Sequence, residues 1–234
     1  MILFFLRRRL ALGLLAIPLF CLGSAWGRLL ATRTQAVIAI DPGHGGIDGG
    51  CQDGRGNLEK DLNLAMARLV AENLRRDGHR VYLTREDDRD LGPTYRRDLL
   101  ARLANARARG AILMVSLHAN WCHDPAAEGA LALVPPDSPE SNALAKAVLL
   151  RLRAVCPAVL EPVVDPDHVL LAHAPFPIAL VEVGFLSNPR EAARLQDPPY
   201  RASLARAIAE GITDYLARRT PRAQRKHPEP PAGR

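Results

Sequence analysis

The sequence predicts an α/β fold in which a mostly parallel sheet is covered by helices. Short apolar runs alternate with amphipathic helical segments along the chain, the pattern of strands joined by helical crossovers. The runs are apolar at nearly every position, as strands buried on both faces are. The chain has 234 residues, 48% hydrophobic and 24% charged, which suits one cored domain and is too apolar for a disordered chain.

Each element has its own signal. Residues 36–41, Ala-Val-Ile-Ala-Ile-Asp, are closed by Pro42-Gly43 and predict a buried strand. Glu59 to Arg76 predicts a helix with Leu62, Ala65, Met66, Leu69, Val70 and Leu74 on one face and Gly78 as its stop. Arg80 to Thr84 predicts a second strand. Thr94 to Arg109 predicts a strongly charged helix with Leu99, Leu103 and Ala106 inward. Ala111 to Leu117 and Ala130 to Pro135 predict two more strands. Ser138 to Val155 predicts a helix opened by Ser138-Pro139-Glu140. His168 to Ala172 and Ile178 to Val183 predict the last strands. Pro189 to Leu195 and Pro198 to Arg218 predict the last helices, the final one burying Leu204, Ile208, Ile212 and Tyr215. No internal repeat is visible.

The formal net charge of +6 invites a nucleic-acid reading, and its distribution removes it. Residues 1–35 carry five arginines and no acid, and residues 219–234 carry five bases and one acid, Glu229. The interval 36–218 holds 21 bases and 24 acids. Arg7-Arg8-Arg9 precede an uncharged, mostly apolar run of 18 residues, Leu10 to Gly27. That arrangement predicts export, through a cleaved signal peptide or a retained anchor in the cytoplasmic membrane. Gly23 and Ala25 form a weak cleavage site, and Phe20 before Cys21 argues against a lipoprotein signal. A buried core helix fits less well, because the polar linker Arg28 to Gln35 follows at once. Thr220 to Arg234, with four prolines and no large apolar residue, predicts a disordered tail. Three domains of organisation follow: leader and linker 1–35, body 36–218 and tail 219–234.

The four cysteines, Cys21, Cys51, Cys122 and Cys156, contain no C-x-x-C pair. Export permits a Cys51–Cys122 disulfide, but free thiols acting as small hydrophobes are the expected state.

In a fold of this class, ligands sit beyond the carboxyl ends of the strands. The first strand runs into Asp41-Pro42-Gly43-His44-Gly45-Gly46 and the third into Ser116-Leu117-His118-Ala119-Asn120. The last carries Glu182 inside Leu180-Val181-Glu182-Val183, where an unpaired carboxylate is costly. Glu59 opens the first helix near the same edge. Two histidines with one carboxylate leave a fourth tetrahedral position for water on zinc, and a second carboxylate can act as general base. Taken singly, His118 reads as a polar surface residue and Glu59 as a helix-start carboxylate suited to the dipole. Cys122 and His123 are substitute ligand candidates. His79, His168, His173 and His227 read as structural or surface residues. The glycine-rich loop after the first strand lacks both G-x-G-x-x-G and G-K-[ST], so a nucleotide site is disfavoured.

Five segments together carry a resemblance. They are Ile40-Asp41-Pro42-Gly43-His44-Gly45-Gly46, Glu59-Lys60-Asp61-Leu62-Asn63-Leu64, Thr84-Arg85-Glu86-Asp87-Asp88, Ser116-Leu117-His118-Ala119-Asn120 and Val181-Glu182-Val183-Gly184-Phe185-Leu186-Ser187-Asn188-Pro189. The sequence resembles the zinc-dependent N-acetylmuramoyl-L-alanine amidases of the type-3 group. Within the group it is similar to the germination-specific spore-cortex amidases, with Tyr95-Arg96-Arg97-Asp98-Leu99 as a further shared stretch. The resemblance implies a six-stranded sheet, Zn²⁺ on His44, Glu59 and His118, and Glu182 as the catalytic carboxylate. It also implies a peptidoglycan glycan strand with its stem peptide as substrate, cut between N-acetylmuramic acid and L-Ala on the way to muramic δ-lactam. The interval between His118 and His168 has no room for the inhibitory helix of division amidases. Cys51, where the family usually has Ala, and Trp121-Cys122-His123 are departures that bear on substrate contacts. Arg85 and Arg102 are expected to form structural ion pairs. A vegetative cell-wall amidase, a zinc exopeptidase on free peptides and a metal-free cell-wall binding module are the rival expectations.

Overall fold

The computed structural model describes residues 37–219. The leader with its alternatives, signal peptide or membrane anchor, and the tail from Thr220 lie outside the described residues. Among the described residues no helix is long and apolar enough to cross a membrane.

The elements in chain order are β1 (Val37–Pro42), α1 (Glu59–Arg76), β2 (Arg80–Leu83), α2 (Tyr95–Ala108), β3 (Ala111–Asn120), β4 (Leu131–Val134), α3 (Pro139–Leu152), β5 (Val163–Val164), α4 (Val169–Ala172), β6 (Ile178–Phe185), α5 (Pro189–Gln196) and α6 (Pro198–Arg218). The six strands form one sheet in the order β2-β1-β3-β6-β4-β5. All neighbours are parallel except β4 against β6. Period-2 alternation sends neighbouring residues of a strand to opposite faces. Ile38 and Ile40 therefore join one core with Leu62, Met66 and Val70 of α1, Val148 of α3 and Ile208 of α6. Ala39 joins a smaller core with Leu99 and Leu103 of α2 and Leu170 and Leu171 of α4. Helices on both faces are why β1, β3 and β6 read as near-continuous apolar runs.

The helices start where their caps say they should. The side chains of Thr94, Ser138, Asn188 and Asp197 accept the first free N–H groups of α2, α3, α5 and α6. The N-caps of α1 and α4, Leu58 and His168, make no side-chain cap bond. The first residue of α1, Glu59, turns instead toward the carboxyl ends of the strands.

Two expectations change. His168–Ala172 is not a strand: Val169–Ala172 forms one helical turn, with Leu170 and Leu171 buried under the sheet. The Asp165 carboxylate accepts the Asp167 and His168 N–H groups and so starts a helix. Four apolar residues cannot reveal their period by themselves. The edge strand is instead Val163–Val164, too short and exposed to announce itself. In addition, β3 continues to Asn120, which places His118 inside a paired strand rather than past its end, and β6 continues to Phe185 around Glu182, as expected inside its strand.

Where α6 crosses α3, a Cβ on Gly211 would lie 2.5 Å from Val148 Cα and 2.8 Å from the Ala147 carbonyl oxygen. Helix propensity alone favours Gly211→Ala by ~1 kcal/mol. Overpacking against a backbone costs ~1–3 kcal/mol or more. We expect the variant to melt at a lower temperature than the wild type, and a raised Tm would show the crossing to be loose.

Candidate metal centre

The site is built on a buried ion pair. Asp41, at the end of β1, is 1% exposed, and Arg102 of α2 is 2% exposed. The guanidinium donates to Asp41 Oδ1 at 2.9 Å, to Asp98 Oδ1 at 2.6 Å, and to the carbonyls of Pro42 and His44 at 2.8 Å each. The hydroxyls of Thr84 and Ser116 also donate to Asp41. Burial pushes the Asp41 carboxyl up, but Arg102 and these hydrogen bonds outweigh it and hold it below the usual carboxylate range. Arg85 departs from the expected ion pair. It donates to the carbonyls of Pro42, Gly43, Lys60 and Asp87, clamping main chain rather than a carboxylate.

These clamps fix the Pro42–His44 turn. His44 sits at φ 61°, in the left-handed region that a side chain rarely adopts, with its carbonyl held by Arg102. Gly43 has no substitute here, because a Cβ would fall 2.2 Å from Cε1 of His118. A Cβ on Gly50 would likewise fall 2.6 Å from Glu59 Oε2.

The functional side chains then converge. His44 Nδ1 lies 2.8 Å from Asp48 Oδ2, and its Nε2 lies 3.1 Å from Glu59 Oε2. His118 Nδ1 lies 3.0 Å from Glu59 Oε1. The imidazoles of His44 and His118 meet edge to face, with centroids 4.9 Å apart. One ligand atom from each of His44, Glu59 and His118 falls within 4.8 Å of the others. Two imidazole nitrogens and a carboxylate oxygen turned inward on one point are a donor set that fits a divalent transition ion such as zinc. The Glu59 carboxylate is oriented by the N–H groups of Ala119 and Cys51 at 3.1 Å each, the Asn63 amide at 3.1 Å and the Cys51 thiol at 3.2 Å. Burial raises the Glu59 carboxyl, yet the two histidines carry it well below its ordinary value. Burial lowers His44, but Glu59 and Asp48 outweigh it and raise the imidazole to about 9. The cluster is thus a preformed acceptor of positive charge.

Glu182 stands one strand away, paired in register with His118. Its Oε2 is buried without a hydrogen-bond partner. Burial outweighs the opposing pull of His118 and, with the charge of Glu59, raises its carboxyl to about 7. An orphaned buried carboxylate beside a metal-type donor set is what a proton acceptor needs.

Sequence reasoning missed three contributors. Asp48 follows His44 by four residues in the same loop, and Asn63 follows Glu59 by one helical turn, so spacing was a usable signal for both. His168 lies close enough to feel the charges of His118 and His44. Burial and those charges lower its imidazole, and its Nδ1 has no partner. Cys122 and His123 do not join the cluster. Cys51, Cys122 and Cys156 are all free thiols, so no Cys51–Cys122 bridge forms.

Asp48 holds His44 by the nitrogen that faces away from Glu59. A carboxylate in that position fixes the tautomer and raises ligand basicity. Asp48→Ala is expected to weaken metal affinity by about 10–100-fold. Competition against a chelator of known affinity would measure it, and unchanged affinity would remove the role.

This fold and this site fit a metal-assisted hydrolase. The family model for N-acetylmuramoyl-L-alanine amidases matches residues 38–214, and the chain belongs to that family. It is similar to the germination-specific N-acetylmuramoyl-L-alanine amidase of Bacillus subtilis, at 35% identity over 84% of this chain and 86% of the relative. It is also similar to the amidase AmiA of Escherichia coli, at 29% identity over 78% of this chain and 76% of that one. Among solved structures, the CwlD amidase of Clostridioides difficile, in complex with the GerS lipoprotein, superposes with a TM-score of 0.72 at 34% identity. That match covers 78% of this chain and 99% of the other. The enzyme is therefore an N-acetylmuramoyl-L-alanine amidase acting on peptidoglycan, and the zinc exopeptidase and metal-free binding module fall away.

Proposed function

We propose that the enzyme is a zinc-dependent hydrolase of the amide between the lactyl group of N-acetylmuramic acid and the L-Ala of the stem peptide. The observation that carries this reading is the inward-facing His44, Glu59 and His118 set with the orphaned Glu182 carboxylate on the adjoining strand. His44, Glu59 and His118 would hold the zinc. Bound there, the ion would supply a Lewis acid for the amide carbonyl and lower the pKa of an attacking water. Glu182 takes a proton from the water as the oxygen adds to the carbonyl carbon. It returns that proton to the departing nitrogen, so the C–N bond breaks to give a lactyl carboxylate and a free L-Ala amine.

Digestion of purified glycan tests the reaction: new L-Ala amino termini must appear. His118→Ala is expected to bring the zinc content, read by elemental analysis, close to zero. Full zinc in that variant would displace His118 from the ligand set. Acid is expected to release the metal, because protons compete for the histidine nitrogens.

The similarity to the germination-specific relative supports a spore-cortex substrate, with stem removal preceding muramic δ-lactam formation. The arginine-led apolar segment supports export, with the body on the outer face of the cytoplasmic membrane, in the wall or in the forespore envelope. Mass spectrometry of products from vegetative and cortex glycan separates the two substrates. Equal cleavage of both would make the enzyme a general wall amidase.

A further inference from the structure

A cleft of ≈ 910 Å³ opens beside the candidate metal centre. It begins at Gly50 and Cys51, whose backbone and thiol touch Glu59, and runs between the Gln52–Arg55 loop, the Trp121–Pro125 loop and the start of α5. Its size suits a ligand of several residues.

Its lining carries one exposed cation and one buried acid. Arg55 is exposed on one wall, and among the described residues its guanidinium makes no hydrogen bond or ion pair. His123 stands on another wall, its ring edge to face with Trp121 at 4.9 Å. The only acid lining the cleft is Asp53. Its carboxylate is buried, and it accepts the N–H groups of Arg55 and Asn57 and the Asn57 amide. Asp53 thus fixes the loop that carries Arg55 through its main-chain N–H; the guanidinium feels the Asp53 charge but makes no hydrogen bond or ion pair with it.

The two sides of the scissile amide differ in charge. The glycan side is neutral once its lactyl carboxyl is in amide linkage, whereas the stem peptide carries free carboxylates. We propose that this cleft seats the stem peptide and that Arg55 is a specificity-determining residue that pairs with a stem carboxylate. This rests on the amidase reading above. Arg55 is not part of the reacting set. It adds binding energy equally before and during the reaction, so its effect falls on KM rather than kcat.

The test uses the whole enzyme and two substrates: purified peptidoglycan with free stem carboxylates, and the same material with those carboxylates converted to amides. The wild type is expected to favour the carboxylate form by about tenfold in kcat/KM, through KM. Arg55→Met is expected to bring that ratio close to one, and Arg55→Lys to keep part of it. A wild type with no preference, or an Arg55→Met variant with the wild-type ratio, overturns the assignment. If L-Ala amino termini appear from both substrates at equal rates, only the Arg55 assignment falls. If no such termini appear from either, the amidase reading falls and takes this one with it.

Discussion

Glu182→Gln is expected to lose about 10²–10⁴-fold in kcat while keeping its metal. Glutamine has the same shape and can occupy the same place beside His118 in the β3–β6 register. It cannot accept a proton. The proposed zinc set, His44, Glu59 and His118, does not include it, so elemental analysis should return the wild-type metal content. Nor should the fold suffer. The buried Oε2 has no partner to lose, and burial already disfavours its charge. A variant that is folded, metal-loaded and inactive would establish Glu182 as the proton carrier. Wild-type rates would sink that role, and loss of metal would make Glu182 a ligand instead.

Arg102→Met is expected to destabilise the enzyme by about 3–5 kcal/mol, because removing one partner of a buried ion pair strands the other. That is a large share of the ~5–15 kcal/mol that holds a typical domain together. Asp41 would keep Thr84 and Ser116 but lose its counter-charge, and the Pro42 and His44 carbonyls would lose a donor. The pH dependence carries a sign. In the wild type the folded Asp41 has a lowered pKa, so its stabilisation is complete above the unfolded value near 3.8 and is lost as pH falls through the folded value. Without Arg102, burial is opposed only by the Thr84 and Ser116 hydrogen bonds, and the folded pKa of Asp41 rises. The charged form then destabilises the variant above pH ~4, and protonation relieves it. The stability gap between the two proteins should therefore narrow on acidification. Denaturant melts between neutral pH and pH 4 measure it. A gap below about 1 kcal/mol, or one constant with pH, would mean that Asp41 is satisfied without Arg102.

Much of the framework was written in local patterns. Glu59–Arg76 and Pro198–Arg218 appear as helices with the bounds their periodicity and stop signals implied. The apolar runs after residue 36, after Arg80 and after Gly110 became the parallel strands β1, β2 and β3, with β2 at the sheet edge. The failures were short elements. The turn at Val169–Ala172 and the two-residue strand Val163–Val164 are too brief for a period to show, and tertiary packing decided both.

By itself, then, the sequence determined which chemistry was at hand: two histidines and two carboxylates, carried at the carboxyl side of an α/β sheet, because residue type and strand order are local properties. Only the tertiary structure decided how those groups are deployed. It set His118 beside Glu182 through the β3–β6 register, closed His44, Glu59 and His118 to within 4.8 Å, gave Asp48 and Asn63 their supporting places, and put the Asp41–Arg102 pair beneath the turn. Those relations span up to 75 residues of chain, as between Asp41 and Ser116, and arise from backbone hydrogen bonding between distant strands and from desolvation of charges. Neither of those forces leaves a mark on a local stretch of sequence.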